Sequence, residues 1–326
     1  TYSFLYCIVQ IIILSSYRLY CYKCYKEYRY NIKQYKPQLL VDIIKFSFWS
    51  LFASCSLALN NQGVIFILNS FFSPSIVAAR AISVQINSAF NLFIDNIRTA
   101  VSPQIVKLYT TNQQEKSKDV LLATTRYSFY CMLLLTLPVI FLTESLLNIW
   151  LIEVPPYAVI FTRLIIVQVL FQVFDSSFYI ALYAKGRLIE NALISPVLGF
   201  IQFPILCFLF KEGYSPTVLS WSSMILYFLL GIIVKPFLLK YVAYYCLSSV
   251  YKDLIICAFV AVFSTISPLI FKWIIDINSI QNDLFCLFIC IISTLLSIWF
   301  IGLTKDEKDK IISLVKKLFF TTTKSR

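Results

Sequence analysis

The chain alternates between long apolar segments and short polar ones. Nine apolar spans are predicted, at roughly 1–17, 41–69, 76–107, 124–149, 157–183, 189–210, 217–239, 253–275 and 284–303. About 20 residues at ~1.5 Å each cover the ~30 Å hydrocarbon core of a bilayer, and only the first span is shorter than that. The pattern predicts an all-α polytopic transmembrane helix bundle.

The third span is not uniformly apolar. Its polar residues recur at steps of 7, 4, 4 and 3, which places them on one face of a helix. They are Arg80, Asn87, Asn91, Asp95 and Arg98. A charged side chain at the bilayer centre costs at least ~2.5 kcal/mol, so we expect this stripe to face a wet cavity or protein.

The second span also carries polar residues. Span 41–69 is interrupted just before Gly63 by Asn60, Asn61 and Gln62. These amides predict either a water-exposed face with a hinge at Gly63 or a hydrogen-bonded contact between helices. The short turn at 70–75 predicts that spans two and three are antiparallel, which brings these amides towards Arg80 and Asn87.

The fifth span repeats the pattern with Arg163, Gln168, Gln172 and Asp175. Arg163 and Asp175 are too far apart on one helix to pair. Each is therefore expected to need another partner or water.

Composition and charge agree with a membrane protein and set its orientation. The 326 residues are 59% hydrophobic and 13% charged, against about 25% charged in soluble domains. Most of the 28 Lys and Arg lie in alternate loops: 18–38, 107–126, 184–188, 235–252 (with Lys235, Lys240 and Lys252) and the tail after 303. The positive-inside rule then places the 18–38 loop and the C-terminus in the cytoplasm.

No catalytic constellation is present. The chain has no His, no phosphate-binding Gly-rich loop and, in its loops, no DxD-like carboxylate pair for a metal and a sugar nucleotide, so we predict no enzyme activity. Cys21 and Cys24 form one CxxC without a second pair, so no metal site or other cofactor is expected. The Tyr- and Lys-rich segment 18–38 is interpreted as an interfacial helix or a solvated linker, and not as a nucleic-acid site.

The second and third spans resemble a known family. The segment GVIFILNSFFSPSIVAARAISVQINSAFNLFIDNIRTAVSPQIVKLYTTNQQEK has a Gly before an apolar run, a short turn, and an A-x-x-I-x-x-Q-hydrophobic-N helix ending in P-Q-I-x-K-x-Y. These positions are Gly63, Ala79, Ile82, Gln85, Asn87, Pro103, Gln104, Lys107 and Tyr109. The pattern resembles the Wzx-type polysaccharide flippases (O-antigen and capsule) of the multidrug/oligosaccharidyl-lipid/polysaccharide (MOP/MATE-like) exporter superfamily.

The resemblance implies a domain organisation. Residues 1–17 would end a preceding helix, and the chain is interpreted as a fragment whose N-terminal lobe is missing. Residues 18–40 would form a basic cytoplasmic linker, 41–240 the second six-helix lobe, 241–304 two peripheral helices, and 305–326 a basic amphipathic tail.

The resemblance also implies a function: translocation of a lipid-linked (pyrophosphate) oligosaccharide across the bacterial inner membrane by alternating access. Arg80, Arg98 and Arg163 would meet the pyrophosphate, and Asn60, Asn61, Gln62, Asn87 and Asn91 the sugar hydroxyls. Asp95 would pair with Arg98 or couple to H⁺ or Na⁺, and Arg80 and Arg163 would otherwise extend to the headgroups. The partners implied are the glycolipid, the bilayer, the missing lobe, and the polymerase and chain-length proteins of the same pathway. The alternative is a cation-coupled multidrug exporter of the same superfamily.

Overall fold

The computed structural model describes residues 2–25, 37–185, 188–274, 280–310 and 312–313, and every regular element among them is helical. The elements are α1 (Tyr2–Cys24), α2 (Pro37–Phe71), α3 (Pro74–Thr110), α4 (Gln114–Phe141), α5 (Thr143–Trp150), α6 (Ala158–Ala184), α7 (Leu188–Lys211), α8 (Val218–Phe228), π1 (Leu229–Val234), α9 (Lys235–Ala243), α10 (Leu247–Ile274), α11 (Ile280–Ser297) and π2 (Ile298–Gly302).

Seven helices within the described ranges are long and apolar enough to cross a membrane. The prediction of an all-α, multi-span membrane protein is confirmed at this level. The two further predicted spans, 41–69 and 189–210, lie within the helices α2 and α7.

The chain divides into two compact units, Thr1–Leu51 and Phe52–Arg326. The first contains α1 and the beginning of α2. Nearly all described side chains of α1 are exposed, and they are mostly apolar, so an aqueous environment would be unfavourable for this helix. Helix α1 also extends seven residues past the predicted end of its span, to Cys24.

Helix α6 lies at the centre of the second unit. Its apolar residues are distributed around the whole helix, which is typical of a buried helix, and Phe161, Ile166 and Phe178 are almost completely buried. Helices α3, α4, α8 and α9 pack around it, and α10 and α11 pack against each other and against α4. The polar residues of α6 therefore face other helices.

Two predicted boundaries are wrong. The loop at 107–126 is helical over most of its length, because α3 ends only at Thr110 and α4 begins at Gln114. Asn112 takes a left-handed φ of 57°, and the Gln113 N–H donates to Leu108 O at 3.0 Å to close the turn. The 37 residues of α3 extend ~55 Å, so its polar end continues beyond a ~30 Å hydrocarbon core. The predicted span 124–149 is broken at Leu142, where α4 gives way to the short α5.

An ion network fastens the chain after π2 to α4. Arg126 on α4 lies 2.8 Å from Glu307 and 3.7 Å from Asp253 of α10. Glu307 also accepts hydrogen bonds from the Tyr127 hydroxyl and the Thr304 N–H, both at 2.8 Å. Thr304 and Glu307 thus form a capping box that starts the helical segment 305–310.

Candidate functional site

The polar stripe of α3 is divided by burial. Arg80 is only 8% exposed, Asn87, Asn91 and Arg98 are half-buried, and Asp95 is exposed. The end of the stripe nearest Pro74 is therefore inside the bundle, while the end nearest Thr110 is more open. Two cavities lie beside it, one at each end.

Arg80 lies in the first cavity, which we call the Arg80 chamber. The chamber has a volume of about 70 Å³, and its polar walls come from α3, α6, α7 and α8. The polar lining residues are Arg80, Asn87, Gln168, Gln172, Gln202, Ser223 and Tyr227. The Arg80 Nη1 donates to the Ser220 Oγ at 3.2 Å, and no carboxylate lies within ion-pair distance of it among the described residues. Arg80 is therefore a buried cation without a counter-ion in that part of the chain.

The amide groups of the chamber are only partly satisfied. The Gln202 Nε2 donates to the Ser222 and Ser223 hydroxyls, at 2.8 and 2.9 Å. Four buried side-chain oxygens accept no hydrogen bond from described residues, and they belong to Asn87, Gln168, Gln172 and Gln202. The Nε of Arg80 is likewise unpaired. Such a group of free acceptors with an arginine suits water or a hydroxyl-bearing ligand.

Tyr227 connects the chamber to a second buried polar pair. Its hydroxyl interacts with the Gln172 amide and lies near both Arg80 and Asp175. Asp175, one turn of α6 beyond Gln172, forms an ion pair with Lys235 of α9, with Oδ1 and Nζ 3.3 Å apart. This contact is an ion pair without the geometry of a hydrogen bond, since Oδ1 accepts none that is well aligned. The Lys235 side chain is 2% exposed.

The π-helical turn π1 sets the position of Lys235. The Lys235 N–H donates to Leu230 O, five residues earlier, so the turn holds one residue more than an α-helical turn. Gly231 lets this wider turn approach α6, because a Cβ there would lie 2.8 Å from Phe171 O. A turn of this kind rotates the following residues around the helix axis, and here Lys235 faces Asp175.

The second cavity lies at the more open end of the stripe, and we call it the Arg98 hollow. It has a volume of about 330 Å³ and is lined by Arg98, Thr99, Ser102, Pro103, Tyr179, Ile180 and Tyr183. The Arg98 Nη2 lies 2.9 Å from Asp95 Oδ1. Of the two interpretations of Arg98 from the sequence, the internal ion pair is therefore present, and the cation also lines a space.

The structure corrects two sequence interpretations. The extension of Arg80 to the headgroups is wrong, because its guanidinium is directed into the bundle against Ser220. Lys235 was assigned to the basic loop 235–252, but it is among the most deeply buried side chains of the described chain. The physical reason is its carboxylate partner, which makes burial of the ammonium group tolerable.

Other predicted site residues are placed differently. Asn91 is half-buried and lines neither cavity. Arg163 is half-buried, lines neither cavity, and makes no hydrogen bond or ion pair with the described part of the chain. The side chains of Asn60, Asn61 and Gln62 lie outside the described residues, so their role stays a prediction.

Helix α2 does reach the chamber, but Gly63 is not a break in it. Val64 and Ile65 line the Arg80 chamber, and the helix runs through Gly63 without interruption. A Cβ on Gly63 would lie 2.6 Å from the Phe203 ring of α7, so this glycine gives space to that ring.

Sequence reasoning missed Gln202, Tyr227 and Lys235. A single Gln or Tyr in an apolar span carries little signal, so the first two could not have been singled out. The signal for Lys235 was indirect: Asp175 needed a positive partner, and Lys235 lay within the predicted span 217–239.

Comparisons of this chain with protein-family models, with curated proteins and with solved structures find no match.

Proposed function

We propose that this chain is the C-terminal portion of a flippase that moves a lipid-linked (pyrophosphate) oligosaccharide across the bacterial inner membrane for surface polysaccharide biosynthesis. The proposal starts from the resemblance of the segment around Gly63, Gln85 and Pro103 to Wzx-type flippases. Its partners are the glycolipid, the bilayer, an N-terminal lobe of the same protein, and the polymerase and chain-length proteins.

One observation carries most of the argument: Arg80 is buried in a membrane-spanning helix without a carboxylate partner among the described residues. A buried unpaired charge costs several kcal/mol, so proteins rarely keep one without a use. A role in the passage of an anion explains why the buried charge is kept, because the ligand supplies the missing negative charge. Arginine also suits phosphate through its planar set of donors.

The amide oxygens of the Arg80 chamber are suited to binding the oligosaccharide part of the ligand. Asn87, Gln168, Gln172 and Gln202 offer acceptors without partners, and sugar hydroxyls are donors as well as acceptors. A space of about 70 Å³ has room for water and is well below the roughly 300 Å³ or more of a small-molecule site. A sugar ring at this position therefore requires that the chamber widen, as alternating access would provide.

A cation-coupled drug exporter is the competing proposal. Such a protein needs a carboxylate free to meet a cationic drug. The carboxylates that the structure describes on α3 and α6 already have a basic partner, since Asp95 pairs with Arg98 and Asp175 with Lys235. The charges on these two helices without an ion pair to the described residues are positive, among them the buried Arg80 and the half-buried Arg163, which favours an anionic substrate.

The test is a clean deletion of the chromosomal gene followed by extraction of the lipid-linked pools. Accumulation of undecaprenyl-linked repeat units on the inner leaflet supports the flippase. Normal pools with a raised sensitivity to cationic drugs support the exporter, and they exclude the flippase.

Complementation with Arg80 variants then tests the observation itself. Arg80→Gln removes the charge and keeps a hydrogen-bond donor, and we expect it to leave the repeat units accumulated. Arg80→Lys keeps the charge and should restore part of the flux. Arg18→Gln is the control, because Arg18 is exposed on α1 and belongs to the first unit. Equal flux in Arg80→Gln and wild type excludes this role of Arg80.

A further inference from the structure

The ring of Tyr179 lies near two cations that come from different helices. Arg98 of α3 has its Cζ 5.9 Å from the ring centroid, and Lys235 of α9 has its Nζ 5.5 Å from it. The two positive centres are thus within about 12 Å of each other. Both distances fall in the range of cation–π contacts, so Tyr179 stabilises both charges.

Each of these cations is neutralised by a carboxylate of the same chain. Arg98 pairs with Asp95 at 2.9 Å, and Lys235 pairs with Asp175 at 3.3 Å. Neither carboxylate accepts any other side-chain hydrogen bond of good geometry from the described residues. Two cations, two weakly held carboxylates and one shared ring therefore form a cluster without net charge.

The cluster borders a space that can take a ligand. The Arg98 hollow of about 330 Å³ is at the lower end of the range for small-molecule sites. Tyr179 is part of its wall, while Lys235 is not, so a ligand in the hollow reaches Lys235 only if side chains such as the Tyr179 ring move. The hydroxyls of Thr99 and Ser102 lie on the same wall.

We propose that Arg98 and Lys235 form one diphosphate-binding site, and that Asp95 and Asp175 hold its two anion positions until the ligand displaces them. A diphosphate diester carries one negative charge on each phosphorus, which matches two cations. The exchange replaces two carboxylate contacts with two phosphate contacts, and the two displaced carboxylates lose their basic partners. The inference rests on the proposed function and adds to the Arg80 chamber a second position for the pyrophosphate of that substrate, beside Tyr179.

The experiment measures binding of inorganic pyrophosphate to the purified full chain in phosphatidylcholine nanodiscs, by calorimetry and by thermal shift. Asp175→Asn removes the competitor of Lys235, and we expect about tenfold tighter binding. The double variant Asp175→Asn/Lys235→Met should bind about tenfold more weakly than wild type, because the cation is gone. Unchanged or opposite affinities in these two variants overturn the site.

Two further variants keep the test sound if Asp175→Asn folds poorly. Asp95→Asn frees Arg98 at an exposed position, so it is expected to fold and to bind pyrophosphate about threefold more tightly. Lys240→Met is the matched control: it lies on the same helix α9, is exposed, and its Nζ is also 5.5 Å from a tyrosine ring, that of Tyr241. Its affinity should equal that of wild type, and a loss as large as that of the double variant would contradict a specific site.

The ligand class is tested with single phosphates. Inorganic phosphate should bind more weakly than pyrophosphate and respond less to Asp175→Asn. Nanodiscs of phosphatidylglycerol test whether a lipid headgroup fills the site: if they abolish pyrophosphate binding in wild type, the site belongs to membrane phospholipid and the diphosphate assignment is wrong. The site and the proposed function can fail separately. If pyrophosphate binding changes with the variants as expected but repeat units do not accumulate in the deletion strain, the binding site is supported and the flippase function is excluded. If repeat units accumulate in the deletion strain but pyrophosphate binding does not depend on the variants, the flippase function is supported and the binding site is excluded.

Discussion

The hydroxyl of Tyr251 on α10 donates a hydrogen bond to the main-chain oxygen of Ile232 in π1, at 3.1 Å. In an α-helical ladder this oxygen would accept from the N–H of residue 236, which is Pro236 and has none. Tyr251, from the C-terminal helix pair, thus donates to a carbonyl of π1, the turn that positions Lys235. The pair α10–α11 is therefore coupled to the interior of the bundle, although its own outer face is apolar and exposed.

We expect Tyr251→Phe to destabilise the protein by about 1 kcal/mol, because the Ile232 carbonyl loses this hydrogen bond in a low-dielectric environment. The midpoint of thermal unfolding in detergent measures this. Tyr241→Phe is the control, since the Tyr241 side chain is 68% exposed. Equal midpoints for the two variants would show that the bond contributes nothing.

Two glycines should differ in their tolerance of a methyl group. In Gly231→Ala the new Cβ would lie 2.8 Å from the main-chain Phe171 O, which cannot move without shifting α6. In Gly63→Ala the Cβ would meet the Phe203 ring at 2.6 Å, and that side chain can rotate away. We expect a loss of about 3 kcal/mol for the first and about 1 kcal/mol for the second. The yield of folded protein and the thermal midpoint would rank them, and the reverse order would argue against a close contact of π1 with α6.

The two ion pairs beside Tyr179 should differ in their effect on stability. Asp95→Asn is expected to change the free energy of unfolding by no more than about 0.5 kcal/mol, because the Asp95–Arg98 pair is substantially exposed. Asp175→Asn removes the carboxylate that neutralises a buried ammonium group and should cost on the order of 2–3 kcal/mol.

A double variant gives the check on that second value. Asp175→Asn/Lys235→Met removes both charges, so it should be more stable than Asp175→Asn alone. The single variant Lys235→Met completes the cycle. If the losses of the two single variants add up to that of the double variant, the ion pair makes no direct contribution.

The segment after π2 should detach from α4 in acid. Burial raises the pKa of the Glu307 carboxyl, but the Thr304 N–H, the Tyr127 hydroxyl and Arg126 outweigh this, and the pKa ends below its ordinary value of 4.5. A carboxyl with a lowered pKa contributes stability above its unfolded-state value and loses it as the pH falls through the folded-state value. The attachment should therefore persist at pH 5–7 and weaken below about pH 4.

Hydrogen exchange of residues 304–310 at a series of pH values measures that attachment. Glu307→Gln should show the fast exchange at neutral pH that wild type shows only in acid. Asp309→Asn is the control on the same segment, as Asp309 is exposed. Exchange that is independent of pH in wild type would rule out the Glu307 attachment.

Much of the architecture follows from local properties of the sequence. Span length and apolar content predict the helices, because a chain in lipid must satisfy its main-chain groups within each helix. The spacing of Arg80, Asn87, Asn91, Asp95 and Arg98 predicts one polar face of α3, because 3.6 residues make a turn. Neither property depends on which helices meet.

The site itself was decided by the tertiary structure. Asp175 and Lys235 meet because π1 adds a residue to one turn and Gly231 allows α8–π1–α9 to approach α6, and neither event has a periodic signature. Counting Lys235 as a loop cation followed from its type and its position near a span end, and its partner lies on another helix. The Arg80 chamber likewise needs side chains of α2, α3, α6, α7 and α8, so its walls and its volume exist only once those helices pack. A sequence states which side chains are polar along each helix, but the energy of a buried charge depends on neighbours that only the folded bundle supplies.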